Sequence, residues 1–179
     1  MIYLIGGPPR AGKSTLAQQF ISRRPMPSFS CDFTYDMDQV KQLSGFEHAG
    51  IIEKADAYFP VLQQLILNVS RRAENCLIEG EVILPHHIAE LEKDYDIKAC
   101  FIGLSDTSIE DIIKYGGYFN WPKYKLENDL GHEVSHLVER TIERSKIIEN
   151  ECVKYGQTYY DLSGNYLSQQ SAALGFFLG

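Results

Sequence analysis

A glycine-rich segment near the start of the chain has the residue types and the spacing that hold a phosphate group. Residues 7–14 follow the pattern GxxxxGK[ST], in which the glycines let the backbone curl so that several N–H groups point at one anion. Lys13 can reach phosphate oxygens as a point charge, and the Ser14 hydroxyl can ligate Mg²⁺. The candidate nucleotide-binding residues are this segment and the residue after it: Gly7, Pro8, Pro9, Arg10, Ala11, Gly12, Lys13, Ser14 and Thr15.

The residues on either side of this segment support the same interpretation. The apolar run 2–5 predicts a buried strand immediately before it. After it, Leu16, Ala17, Phe20 and Ile21 recur at helical spacing and predict an amphipathic helix. The positive end of that helix dipole would face the bound phosphates. We therefore expect ATP and Mg²⁺ as the cofactors of this segment.

Short apolar runs alternate with longer helical patterns along the rest of the chain. Four further strands are predicted, at residues 28–31, 76–78, 97–104 and 158–162. Helices are predicted over about 36–73, 86–94, 132–155 and 166–178. Strands that alternate with helices of these lengths indicate a parallel sheet covered on both faces. The sequence thus predicts a single α/β domain over residues 1–179.

Residues 7–14 near the N-terminus, the five predicted strands and the length of 179 residues resemble the P-loop small-molecule kinases related to adenylate, shikimate and gluconate kinases. The resemblance covers the whole chain as architecture, and the P-loop is its specific motif. It implies a P-loop NTPase-type three-layer sandwich, with a five-stranded parallel sheet in the order 2-3-1-4-5 and helices on both faces. It also implies Mg-dependent transfer of the γ-phosphate of ATP to a small-molecule acceptor.

That strand order would bring two carboxylates to the phosphate site, because ligands bind outside the carboxyl ends of the strands in open α/β sheets. Asp32 follows the second predicted strand, where shikimate and gluconate kinases place an aspartate that faces the acceptor. Glu79 follows the third, where P-loop proteins place the acidic residue that orients Mg²⁺, so Ser14 and Glu79 are the metal candidates. Glu81 is a second candidate. The competing interpretations are a turn or helix cap for Asp32 and a solvated carboxylate for Glu79.

Basic groups should neutralise the charge of the transferring phosphoryl group. Arg140 and Arg144 are four residues apart on one predicted helix and resemble the arginines that flank the lid of adenylate-kinase-like enzymes. With Lys13 and Asp32 they complete the candidate catalytic set, although a surface ion pair is the alternative for each arginine. In this architecture residues 33–73 would be a helical insert that covers the acceptor. Residues 116–130 would be a lid-like loop, but this loop contains no arginine.

A second motif competes with the P-loop. His132, Glu133 and His136 fit HExxH, in which two histidines on one helix face bind zinc and the glutamate activates a water molecule. A zinc peptidase needs a third ligand, which Glu149 or Glu151 could supply only by folding back from the same predicted helix. We therefore prefer a coincidental match on a surface helix. His86 and His87, at the start of another helix, are interpreted as structural.

Composition narrows the class of protein further. There are 24 acidic and 17 basic residues, a net charge of −7, which argues against nucleic acid as a partner. No apolar run is long enough for a membrane span or a signal peptide, and the four cysteines form no CxxC pair, so we expect a cytoplasmic protein. The sequence leaves the acceptor and the oligomeric state open. A nucleotide-binding switch without an acceptor remains the alternative function.

Overall fold

Five parallel strands form the central sheet, in the order β2-β3-β1-β4-β5. They are β1 (Ile2–Gly6), β2 (Ser28–Ser30), β3 (Cys76–Gly80), β4 (Ile97–Gly103) and β5 (Thr158–Asp161). The computed structural model describes residues 1–34, 37–43, 50–108, 111 and 131–179, and of residues 131–135 only the backbone. The strand order that the family resemblance implies is confirmed.

The central strands are consecutive runs of buried residues. Every residue of β1 and of β3 is buried, which is the pattern of a parallel strand covered on both faces. The two strands pair in register, with Ile5 opposite Glu79 and Gly6 opposite Gly80. They therefore end at the same level of the sheet, and the chain that leaves β1 runs beside the end of β3.

Helices cover both faces of the sheet and make it the middle of three layers. The helices are α1 (Lys13–Arg23), α2 (Asp38–Lys41), α3 (Ile51–Arg72), α4 (Pro85–Leu91), α5 (Gly131–Tyr155) and α6 (Tyr166–Leu178). On one face α1 and α6 pack around Tyr3 and Ile5. On the other, α3, α4 and α5 pack around Leu4, Ile78 and Phe101. None of the described helices has both the length and the apolar character needed to span a bilayer.

The second strand is shorter than predicted. It ends at Ser30, and residues Cys31–Thr34 form a 3₁₀ turn that contains Asp32. The Thr34 hydroxyl donates to the Cys31 carbonyl oxygen at 2.7 Å, a local bond that competes with strand pairing. The same hydroxyl lies 2.7 Å from the Tyr58 Oη, so the turn is tied to α3. Asp32 therefore lies on this turn, two residues beyond the end of β2.

Two of the predicted segments lie partly or wholly outside the described residues. Within 33–73, helices α2 and α3 are present as expected, and residues 35–36 and 44–49 lie outside the described residues. The lid-like loop 116–130 lies outside them entirely, as do the side chains of His132 and Glu133.

The buried hydroxyl of Ser145 links α5 to the end of β4 by a hydrogen bond. The Ser145 side chain is fully buried, and its Oγ accepts a hydrogen bond from the Leu104 N–H at 2.8 Å. The same Oγ donates to the Thr141 carbonyl oxygen at 2.7 Å. Because Leu104 directly follows β4, this bond sets the position of α5 relative to the carboxyl edge of the sheet. Arg144 precedes Ser145 and is positioned with it.

Replacing Ser145 by alanine should destabilise the protein because the Leu104 N–H loses its partner inside the core. We expect Ser145→Ala to lower the free energy of unfolding by about 1–3 kcal/mol, measured by urea denaturation. Ser22→Ala is the matched control, since the Ser22 hydroxyl bonds a carbonyl oxygen at an exposed position. An equal loss of stability in both variants would contradict the assigned role of Ser145.

Candidate functional site

The loop between β1 and α1 has a backbone that requires glycine at two positions. Gly7 has a φ of 152°, and a Cβ there would lie 2.3 Å from the carbonyl oxygen of Ile102. Gly12 has a φ of 95°, and its Cβ would lie 2.6 Å from the Tyr166 Oη. Arg10, between them, is exposed and also has a positive φ, of 66°. The loop therefore curls tightly under β4 and α6, as a phosphate-binding loop must.

Lys13 places a positive charge inside this loop. It is the first residue of α1 and only 5 % exposed. Its Nζ donates to the carbonyl oxygen of Pro8 at 3.0 Å, so the side chain folds back over the loop. A carbonyl oxygen is a neutral acceptor and leaves the ammonium charge uncompensated. The charge adds to the positive end of the α1 dipole, and both favour an anion in the loop.

Ser14 and Glu79 meet across the sheet edge, as the sequence predicted for a pair that shares a metal. The Ser14 hydroxyl donates to the Oε1 of Glu79 at 3.1 Å. Glu79 is 5 % exposed, and its Oε2 is buried with no hydrogen-bond partner among the described residues. A buried carboxylate oxygen without a donor calls for a cation or a water molecule. The pair therefore fits Mg²⁺, which prefers oxygen ligands and retains water in its coordination shell.

Asp32 lies close to the same edge because Gly80 lets the 3₁₀ turn approach β3. A Cβ on Gly80 would lie 2.7 Å from the Cβ of Cys31. Burial raises the pKa of the Cys31 thiol to about 12, with smaller contributions from the charges of Asp32 and Glu79 and an opposing one from Lys13. Asp32, the next residue after Cys31, is thereby held near the end of β3. The Asp32 side chain itself is exposed and open to a ligand.

Glu81 is the centre of a buried ion-pair network. Its Oε2 lies 3.0 Å from the Nη1 of Arg144, and its Oε1 accepts a short hydrogen bond from the Nζ of Lys54. Burial alone would raise the pKa of Glu81. The hydrogen bond from Lys54 and the charges of Lys54, Arg144 and Lys13 outweigh that effect and lower the pKa. Arg144 thus pairs with a buried carboxylate beside the P-loop, not with its sequence neighbours on α5.

This network borders a cavity of about 260 Å³ that reaches the P-loop. Its lining residues come from the loop, α3, the end of β3 and α5: Pro9, Lys54, Glu81, Leu137, Arg140, Thr141 and Arg144. Among the described residues no acidic side chain pairs with Arg140, which is exposed at the rim. The cavity therefore presents one guanidinium that is paired with no described carboxylate and a second that is held by Glu81. This arrangement suits an anionic ligand.

Most residues of this candidate site were expected from the sequence, but Lys54 was not. The only feature that could have indicated Lys54 is its position beside Ala55, at the edge of the apolar stripe of α3. The pairing of Lys54 with Glu81 connects residues 27 apart in the chain and depends on how α3 packs on the sheet. Of the three HExxH side chains, the structure describes that of His136. It is exposed, and its Nδ1 lies 3.6 Å from the Oε2 of Glu139.

No family model matches the sequence, and no curated protein matches it. Solved structures do match. A shikimate kinase from Acinetobacter baumannii, in complex with shikimate, is 16 % identical, with a TM-score of 0.57 over 99 % of this chain and 92 % of the other. A gluconokinase from Sinorhizobium meliloti 1021 is 13 % identical, with a TM-score of 0.58 over 99 % of this chain and 90 % of the other. A shikimate kinase from Bacteroides thetaiotaomicron is 14 % identical, with a TM-score of 0.57 over 99 % and 98 %.

These matches agree with the architecture described above. They extend over nearly the whole length of each pair of chains, while the identities of 13–16 % limit the conclusion to the fold. The five-stranded parallel sheet between two helical layers, with the glycine loop after β1, is the fold of the P-loop small-molecule kinases.

Proposed function

We propose that the protein transfers the γ-phosphoryl group of Mg-ATP to a hydroxyl group of a small anionic acceptor. The observation that carries this proposal is the Ser14–Glu79 pair, in which a buried carboxylate oxygen without a partner lies beside a hydroxyl at the mouth of the glycine loop. Phosphoryl transfer depends mainly on positioning and on charge neutralisation, and the described residues are suited to both tasks.

The nucleotide side of the site consists of the P-loop and the first turn of α1. ATP, when bound, supplies the phosphoryl group, and Ser14 and Glu79 would hold its Mg²⁺. Gly7 and Gly12 let the loop adopt its curled backbone, because a side chain at either position would collide with Ile102 or Tyr166. Lys13 neutralises charge on the transferring group from its buried position at the helix start.

The acceptor side consists of Asp32 and the cavity between α3 and α5. Asp32 would accept the proton of the attacking hydroxyl or hold that hydroxyl in line. Arg140, which no described acidic residue neutralises, would pair with an anionic group of the acceptor. Glu81 and Lys54 would act as positioning residues that keep Arg144 at the cavity wall.

The three solved structures that match this chain suggest the chemical class of the acceptor. Their names refer to shikimate and gluconate, which are polyhydroxylated carboxylic acids. A compound of this class offers a hydroxyl to Asp32 and a carboxylate to Arg140. We propose a hydroxylated carboxylic acid as the acceptor, covered by residues 33–73 on one side and by the lid-like loop 116–130 on the other. Closure of these segments would keep water from the phosphoryl group.

We further propose that the whole chain acts as one domain in the cytoplasm. All four cysteines, Cys31, Cys76, Cys100 and Cys152, are free and buried, which suits a reducing compartment.

The test is ATP-dependent phosphorylation of a panel of hydroxylated acids, sugars and nucleosides, followed by ³¹P NMR. We expect turnover of at least one hydroxylated acid, with Mg²⁺ required. ATP binding without turnover of any compound would favour the alternative of a nucleotide-dependent switch. Turnover of only a neutral sugar or a nucleoside would contradict the proposed role of Arg140.

Asp32→Asn should abolish most of the transfer while leaving the fold intact, because the side chain is exposed and contributes to the reaction rather than to the core. We expect kcat to fall by about 10²–10⁴, with the free energy of unfolding unchanged. Asp94→Asn, at an exposed position after α4, is the control and should retain full activity. An active Asp32→Asn enzyme would exclude Asp32 as the base.

Glu81→Gln should destabilise the protein in a pH-dependent way, because Lys54 and Arg144 lose their counter-charge. At pH 7 we expect the free energy of unfolding to fall by about 3 kcal/mol. Since the folded-state pKa of Glu81 lies below its ordinary value of 4.5, the contribution is complete above pH 4.5 and is lost as the pH falls through the folded-state pKa. Urea denaturation should therefore show wild type and variant converging in acid. Glu74→Gln, at an exposed position, should show neither effect.

A further inference from the structure

A second cluster of ionisable side chains lies where α3, α4 and α5 pack together. Asp56 comes from α3, His86 and His87 from the first turn of α4, and Glu151 from the last turns of α5. The Nε2 atoms of His86 and of His87 each lie 2.9 Å from the same Oδ1 of Asp56. The Nδ1 of His86 lies 2.5 Å from the Oε2 of Glu151. The phosphotransferase site uses none of these residues.

The hydrogen-bonding capacities of these groups require a positive charge between His86 and Asp56. A carboxylate only accepts hydrogen bonds, so Glu151 takes the proton on the Nδ1 of His86. In neutral His86 the Nε2 is then a lone pair, and it faces the carboxylate oxygen of Asp56. Two acceptors at 2.9 Å repel each other unless a positive charge lies between them. That charge is either a second proton on His86 or a metal ion.

His87 is held in place by packing. Its side chain is 4 % exposed, and its ring stacks on Phe59 with centroids 4.2 Å apart and planes 8° apart. A neutral imidazole has a lone pair on one ring nitrogen, which is the form that binds metals. Packing fixes the ring with its Nε2 toward Asp56, and its Nδ1 is buried with no hydrogen-bond partner among the described residues.

The negative charge of the cluster and its exposure to solvent on one side also suit a divalent ion. Asp56 and Glu151 bring two negative charges to two imidazoles. The Asp56 side chain is 56 % exposed, and that of Glu151 is 15 % exposed, so the cluster is buried on one side and open to solvent on the other. An ion can enter from the Asp56 side and retain a water molecule there.

We propose that Asp56, His86 and His87 bind one divalent transition metal ion of the zinc class. The ligand atoms would be the Oδ1 of Asp56 and the Nε2 atoms of the two histidines, with water in the fourth position. One donor atom from each residue already lies within 4.8 Å of the others. Donors about 2.0–2.1 Å from a tetrahedral metal lie roughly 3.3–3.4 Å apart, so the furthest pair of donor atoms needs to close by up to about 1.5 Å.

Glu151 is the positioning residue of this site. It fixes the tautomer of His86 through the Nδ1 and leaves the Nε2 free for the metal, as carboxylates behind zinc-bound histidines do. The bound ion would fasten α3 to the start of α4 and, through Glu151, to α5. The site is separate from the HExxH motif, which lies nearer the start of α5. The proposal stands independently of the phosphotransferase function.

The test is a zinc titration of the full chain, purified without a histidine tag and treated with a chelator. A competing chromophoric chelator measures the affinity, and Co²⁺ in place of Zn²⁺ reports the ligand geometry by its visible absorption. We expect one equivalent of Zn²⁺ and a rise in the melting temperature when zinc is added. Asp56→Asn and His87→Gln should each weaken binding about 100-fold, and Glu151→Gln about 10-fold.

His136→Gln is the matched control, because it removes a histidine of the HExxH motif and leaves the cluster intact. We expect unchanged zinc affinity in this variant. Zinc binding that is lost in His136→Gln and retained in Asp56→Asn would overturn the proposal. Binding of less than one equivalent by wild type would also overturn it and would leave a proton on His86 as the cation. Asp56 is exposed, so Asp56→Asn remains informative even if His87→Gln fails to fold.

Discussion

The parallel pairing of β1 with β3 is the constraint on which the candidate site depends. In-register pairing places Glu79 opposite Ile5 and Gly80 opposite Gly6, so the two strands end together. The chain that leaves β1 must then curl into the glycine loop within hydrogen-bonding distance of Glu79. The bond from Ser14 to Glu79 at 3.1 Å is the direct result. Without this register, the loop and the carboxylate would lie on different parts of the sheet edge.

Three glycines allow this convergence in different ways. Gly7 and Gly12 adopt backbone angles that other residues rarely adopt, and thereby bring the loop against β4 and α6. Gly80 has no such angle. It acts by having no side chain, because Cys31 occupies the space that a Cβ would fill. This close contact brings the turn with Asp32 to the sheet edge, and Tyr58 of α3 holds the turn through Thr34.

The fold could be predicted from the sequence because its signals are local. Apolar runs, helical spacing and the P-loop pattern fall within short windows, and the five strands agree with the prediction. The strand order did not follow from these signals; it was implied by the resemblance to the P-loop small-molecule kinases. Ser14 and Glu79 could be predicted because each is fixed to the end of an element. The pairing of Lys54 and Arg144 with Glu81 and the partners of His86 and His87 could not be predicted. Their contacts join elements that are far apart in the chain. The spacing of residues along the sequence does not indicate how these elements pack against each other. The predicted boundary of β2 was wrong for a different reason: residues Cys31–Thr34 form a 3₁₀ turn with a local bond from the Thr34 hydroxyl, and the spacing of apolar residues does not indicate such a bond.

The central claim is that the glycine loop binds Mg-ATP through the buried Lys13. Equilibrium dialysis with ATP, in the presence and absence of Mg²⁺, tests it directly on wild type, Lys13→Ala and Lys93→Ala. Lys93 is an exposed lysine after α4 and serves as the charge-matched control. We expect wild type and Lys93→Ala to bind Mg-ATP with dissociation constants below the millimolar range, and Lys13→Ala to lose binding. Absence of binding in wild type, or equal affinity in wild type and Lys13→Ala, would contradict the account.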